Sequence, residues 1–263
     1  MVGLRVLTNR ILVTIAMLWM TQSGFACSCA DISPFCKNAP NQQPWVSFGE
    51  QAIFVGTAID VEPDWILMAR ELWRDLLRKP SRIDQRKARF QVTESFVGPE
   101  EPEIEVSTNP GWGGGDCGIR FRAGESYFVV ASRNMQTGVW GTSICSRTTL
   151  LSYATQDIVA LRAWKRGEQL PRRIFGTVDR DSGPRNLVLR SDAATQKISP
   201  NQDGHFLIEN LASAGYYLEL ESPGRPLYIH QSGVGRLSGS TDRRPIDLTT
   251  ARCAELYVAL QAR

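Results

Sequence analysis

Histidine is nearly absent. The 263-residue chain has two, His205 and His230, and neither stands in an HExxH or comparable ligand spacing, so a resident metal site is not expected. The same scarcity removes the partner a serine or cysteine nucleophile needs, and no enzyme is expected. Charge of one sign is also missing. Thirty basic residues face 27 acidic ones, which leaves nucleic acid without an electrostatic footprint. Long apolar runs are missing as well: "ILVTIAMLWM" at 11–20 is about half the roughly 20 residues of a transmembrane helix. The glycine run "GWGGG" (111–115) lacks the lysine and following helix of a phosphate cradle, and reads as a loop with Trp112 free to meet a partner. "SPNQDGHF" (199–206) offers Ser199, and beyond it Asn210, where a calcium loop needs carboxylates. A hairpin turn at Asp203 and Gly204 is expected instead, and no cofactor is expected.

What is there begins with an export signal. Arg5 and Arg10 precede the apolar run, and "GFA" supplies small residues at the spacing of a cleavage site. Residues 1–26 are therefore set apart as a signal peptide, and the rest is expected to be secreted, periplasmic or extracellular, with no transmembrane segment. Removing the two arginines leaves 28 basic against 27 acidic residues, a net charge of +1. "GFAC" also resembles a bacterial lipoprotein site, in which Cys27 would carry a lipid anchor.

Six cysteines follow: Cys27, Cys29, Cys36, Cys117, Cys145 and Cys253. In an oxidising compartment an even set can pair, and spacing alone leaves fifteen pairings open. Three of the six fall within residues 27–36, and in an extended strand Cys27 and Cys29 would share a face.

The pattern along the chain is mainly β. "AIFVGTAIDVE" from Ala52, "ARFQVTESFVG" (88–98), "EIEVSTN" (103–109) and "ESYFVVAS" (125–132) read as strands, the first bent at Gly56. Between the first two, Trp65, Met68, Leu72 and Leu76 recur at helical spacing until Pro80. That stripe predicts an amphipathic helix, packed on its own barrel in the first reading and docked on a partner or membrane surface in the other. A second helix is expected within 149–168, with Leu151, Ala154, Ile158 and Leu161 on one face and Gly167 as its C-terminal cap. After a linker "QLPRR" (169–173), short strands such as "RIFGTVDR", "NLVLRS", "HFLIENL", "YYLELES", "IDLT" and "AELYVAL" predict a small sandwich over 172–263.

Taken in order, Cys-x-Cys at the mature start, a third cysteine, a "VG" strand, "CG" before an aromatic and a cysteine ahead of a helix resemble the tissue inhibitors of metalloproteinases. More broadly they are similar to the netrin-like modules that share a five-stranded OB barrel. The resemblance covers roughly residues 27–166, within a first domain expected over 27–168. It implies bridges Cys27–Cys117 and Cys29–Cys145, leaving Cys36 and Cys253 as a candidate third pair or as two free thiols. The sandwich, in place of that family's cysteine-rich second domain, resembles transthyretin-like or carboxypeptidase-regulatory modules.

The function implied is inhibition of a zinc metalloprotease. A catalytic zinc keeps one coordination position open to water. The free α-amine and carbonyl of Cys27 would displace that water, with Ser28 entering the specificity pocket and Cys29 and Ala30 completing the ridge. The contending expectation is a non-inhibitory extracellular or envelope binding module, in which the cysteines are staples only.

Overall fold

The computed structural model describes residues 35, 50–77, 85–111, 116–179, 186–221, 227–238 and 245–260. The signal segment, Cys27, Ser28, Cys29, Ala30, Cys36 and Trp112 lie outside the described residues.

The first unit is a closed barrel of five strands: β1 (Gln51–Val61), β2 (Arg86–Val97), β3 (Glu103–Thr108), β4 (Ser126–Arg133) and β5 (Trp140–Gly141). They run in the order β1-β2-β3-β5-β4, and β4 returns to β1 to close the ring. All neighbours are antiparallel except β3 and β5, which pair in parallel through Val106 with Trp140 and Ser107 with Gly141. This is the OB-type barrel expected. A two-residue strand, β6 (Thr149–Leu150), adds to β4.

Strand β1 explains why its apolar run does not alternate with polar residues. Ala52, Phe54 and Ala58 fill the barrel with Phe90, Val106, Phe121 and Tyr127. Ile53 and Val55, pointing the other way, join Phe128 and Val130 of β4 beneath a helix. Both faces are buried, so both are apolar. The expected bend at Gly56 is present: the β1–β2 register shifts between Val55 and Gly56. A Cβ there would lie 2.9 Å from the carbonyl oxygen of Gln91, so glycine lets β2 approach closely while the sheet curls.

Helix α1 (Asp64–Leu76) joins β1 to β2, as predicted. Its orientation corrects the sequence reading. The stripe Trp65, Met68, Leu72 and Leu76 is turned to solvent, and among the described side chains of the helix Leu67 is the one buried completely. The second helix, α2 (Thr155–Lys165), is shorter than 149–168, because a 3-10 turn (Leu151–Tyr153) and β6 occupy its expected start. Its Ile158, Ala160 and Leu161 cover the outer face of β1 and β4, and Phe35 is buried among them with its ring edge-on to Phe128 at 5.8 Å. Gly167 adopts the left-handed conformation of a helix cap.

The second unit is a β-sandwich. Its strands are β7 (Arg173–Val178), β8 (Leu187–Arg190), β9 (Thr195–Ile198), β10 (His205–Ile208), β11 (Gly215–Leu220), β12 (Leu227–Gln231), β13 (Gly235–Ser238), β14 (Ile246–Asp247) and β15 (Cys253–Leu260). One sheet runs β10-β7-β15-β12-β13 and the other β14-β11-β8-β9. Ile174, Leu187, Leu189, Ile246, Leu256 and Val258 are among the side chains between them. β7 and β15 pair in parallel. The turn at Asp203 and Gly204 is not a hairpin turn: β9 pairs with β8 in one sheet and β10 with β7 in the other, so it carries the chain between sheets. The stretch after α2 is docked rather than loose. Leu170 packs against the barrel cluster, and its carbonyl accepts hydrogen bonds from the Arg252 guanidinium at 2.6 and 3.0 Å.

Candidate functional site

The loop after β3 fixes Cys117 in an unusual backbone state, φ 57°. The Asp116 carboxylate accepts from the Gly118 amide at 2.9 Å, the Asn109 side-chain amide donates to the Asp116 carbonyl, and the Ile119 amide donates to the Thr108 hydroxyl at 3.0 Å. Gly118 is required here. A Cβ would sit 2.2 Å from the Asn109 carbonyl oxygen, an approach no other side chain permits.

Cys145 lies in a 3-10 turn, Ile144–Ser146, capped by Ser143, whose hydroxyl accepts from the Cys145 amide at 3.2 Å. The next hydroxyls knit the turn to the barrel: Thr142 donates to the Val130 carbonyl at 2.9 Å, and Thr148 accepts from the Val130 amide at 2.8 Å. The two cysteine loops touch directly, because the Ile144 amide donates to the carbonyl of Cys117 itself at 3.0 Å. The structure therefore brings Cys117 and Cys145 side by side at one end of the barrel. Cys117, Cys145 and Cys253 are each in a disulfide, and no described cysteine is free.

Immediately after Cys145 and Ser146, Arg147 takes a left-handed backbone (φ 71°) and sends its guanidinium into a buried charge cluster. Its Nε and Nη2 donate to the two carboxylate oxygens of Asp157 at 3.0 and 2.8 Å. Nη1 pairs with Glu255 of β15 at 2.9 Å. Asp157, in the first turn of α2 where the helix dipole favours an anion, also accepts from the Phe35 amide at 3.2 Å. Burial works against the Arg147 charge, but Asp157 and Glu255 outweigh it and raise its pKa. Burial likewise pushes the Asp157 carboxyl up, and the guanidinium and the Phe35 amide oppose that push. The cluster joins three parts of the chain: the segment before Cys36, the barrel and the sandwich.

Arg173 makes a second tether, donating to the Gln156 carbonyl at 3.3 Å from the first residue of β7. Above these contacts lies a cleft of about 510 Å³ between the two units, bordered by Tyr153, Gln156, His205, Leu207, Glu255 and Tyr257. The Tyr153 and His205 rings, both on its border, lie 6.4 Å apart and are tilted by 59° to each other. Neither Arg147 nor Asp157 was singled out from the sequence. Each is an isolated polar residue, and their partnership spans residues 35–255, which no local spacing encodes.

Among the described residues no cluster of three or more His, Cys, Asp or Glu side chains could hold a metal ion, and no helix is long and apolar enough to cross a membrane. The class defined by the fold is a closed OB-type barrel followed by a β-sandwich. No family model matches the chain, and no curated protein matches it in sequence.

Proposed function

We propose that the chain is an exported, TIMP-like protein that inhibits zinc metalloproteases through the free N-terminus of Cys27. The carrying observation is the contact of the Ile144 amide with the Cys117 carbonyl, which sets two disulfide-bonded cysteines next to each other. Bridges Cys27–Cys117 and Cys29–Cys145 would attach the Cys-x-Cys ridge at two adjacent points, and Phe35 would hold the same segment from its far side. Phe35 stands six positions after Cys29, an extended reach of roughly 20 Å. A terminus held at both ends loses little conformational freedom on binding.

In this reading the Cys27 α-amine and carbonyl oxygen ligate the zinc of the protease, Ser28 enters its specificity pocket, and Cys29 and Ala30 lie along the cleft rim. The amine must be neutral to ligate, so inhibition weakens as pH falls below the ordinary α-amine range near 8. The test is inhibition of a panel of zinc proteases by oxidised protein beginning at Cys27, beside a form carrying one extra alanine before it. Inhibition by the first alone is expected. Equal inactivity of both folded forms would reduce the cysteines to staples.

The second reading is a non-inhibitory extracellular or envelope binding module, with or without a lipid on Cys27. One observation favours it: the apolar side of α1 is presented to solvent.

A further inference from the structure

Helix α1 wears its amphipathic pattern inside out. At 3.6 residues per turn, Trp65, Met68, Leu72, Trp73, Leu76 and Leu77 gather on one side, and all six are between 59% and 68% exposed. The opposite side carries Arg70, Glu71 and Arg74 around the buried Leu67. It is this polar side that is tied back to the protein: Arg70 pairs with Glu62, while Asp64 at the helix start receives Arg86 and Arg120. A helix on a globular domain ordinarily points its apolar stripe at the core. Six large apolar side chains on one exposed helix face instead form the kind of contiguous patch that marks an interaction surface.

The composition of the patch and its surroundings identifies the occupant. Tryptophan paired with leucine and methionine on one side, and charge on the other, is the pattern of a helix lying in the plane of a bilayer interface. Charge complementarity points the same way. Residues 62–89 carry eight basic and five acidic side chains, a net +3, whereas residues 27–263 together carry +1. In sequence, the net positive charge is thus carried by the stretch that holds this helix, and it complements anionic headgroups. At 13 residues α1 is too short to span a bilayer.

We infer that α1 is an interfacial membrane-binding helix that lays Trp65, Met68, Leu72, Trp73, Leu76 and Leu77 into the headgroup and acyl boundary of an anionic lipid surface. The inference is independent of the inhibitory reading, since it needs neither Cys27 nor a protease.

The experiment is flotation of the full oxidised chain, without acylation, with phosphatidylglycerol-containing vesicles and with pure phosphatidylcholine vesicles, beside the double variant Trp65→Ser/Trp73→Ser. The chain is expected to float with the anionic vesicles, more weakly with the neutral ones, and less as salt rises. The double variant should bind at least about tenfold more weakly, since it loses the two interfacial aromatics. Its circular dichroism and melting temperature should match the parent, because both side chains are exposed. Failure of the parent to float, or undiminished binding by the variant, would overturn the assignment. Equal binding to both vesicle types would remove the anionic surface from it. A dimer that ignores vesicles and is broken by the same two substitutions would give the face to a second copy of the chain.

Discussion

Asp157 receives two bonds from Arg147 and one from the Phe35 amide while almost wholly buried. Removing one member of such a pair strands the other charge. Asp157→Ala is expected to cost about 3–5 kcal/mol of stability, measured by urea denaturation, whereas Glu255→Gln, which leaves the Arg147–Asp157 pair intact, should cost much less. Replacing Arg147 and Asp157 together by apolar residues should recover part of the loss. Tyr127 offers a second test at this scale. Burial first, and then its bond to Glu125 at 2.7 Å, raises its phenol to about 12 from an ordinary 10. Between those values the unfolded chain has released the proton and the folded chain still holds it, so the folded state binds more protons and stability falls as pH rises. Melting temperature should drop over that alkaline window, and Tyr127→Phe should flatten the drop. At this scale the sequence displayed the cysteines, whose chemistry is visible one at a time, and none of the residues just named. Arg147, Asp157 and Phe35 acquire meaning through contacts between distant segments.

Elements were more legible than their orientations. Four of the five barrel strands fall within a few residues of their predicted spans because β-branched and aromatic runs end at turn residues, whereas the two-residue β5 was not predicted. The helical period of Trp65, Met68, Leu72 and Leu76 revealed α1 but carries no information about which side meets the protein. A period gives a stripe, and the neighbours decide where it points. Leu67 is therefore the residue whose truncation matters: Leu67→Ala is expected to cost about 2–5 kcal/mol, while Leu72→Ala should stay within about 0.5 kcal/mol, both read by thermal or urea unfolding. In the second unit, strands β9, β12 and β13 escaped notice for a related reason. β9, "TQKI", exposes all but Ile198, and β9 and β13 each lie at a sheet edge, where little apolar pattern is needed.

Across the whole molecule the fold class was readable as a sum of local signals, but the junction was not. "QLPRR" looks like a linker by composition. In the structure Leu170 is held by Arg252, and Arg147 reaches across to Glu255. The same junction bears on the third disulfide. Phe35 is one residue before Cys36 and bonds to Asp157, and the charge cluster ends on Glu255, two residues along β15 from the disulfide-bonded Cys253. Non-reducing peptide mapping is expected to find Cys36 joined to Cys253, with Cys27 and Cys29 on Cys117 and Cys145. A Cys36–Cys253 bridge would close most of the chain into one loop, worth roughly 5 kcal/mol in the chain-entropy view. A Cys117–Cys145 peptide in the map would dismiss the stapled terminus altogether.

Strand β15 lies in the middle of its sheet, with β7 and β10 on one side and β12 and β13 on the other. Among the described strands it also comes last along the chain. A ribosome that has finished α2 has already delivered every strand of the barrel, whereas β7 must wait unpaired on its parallel edge until Cys253–Leu260 emerges. The two halves thus complete on different clocks. A stop codon anywhere between the two units and residue 253 would leave a barrel with all its strands trailing a sheet that has no centre.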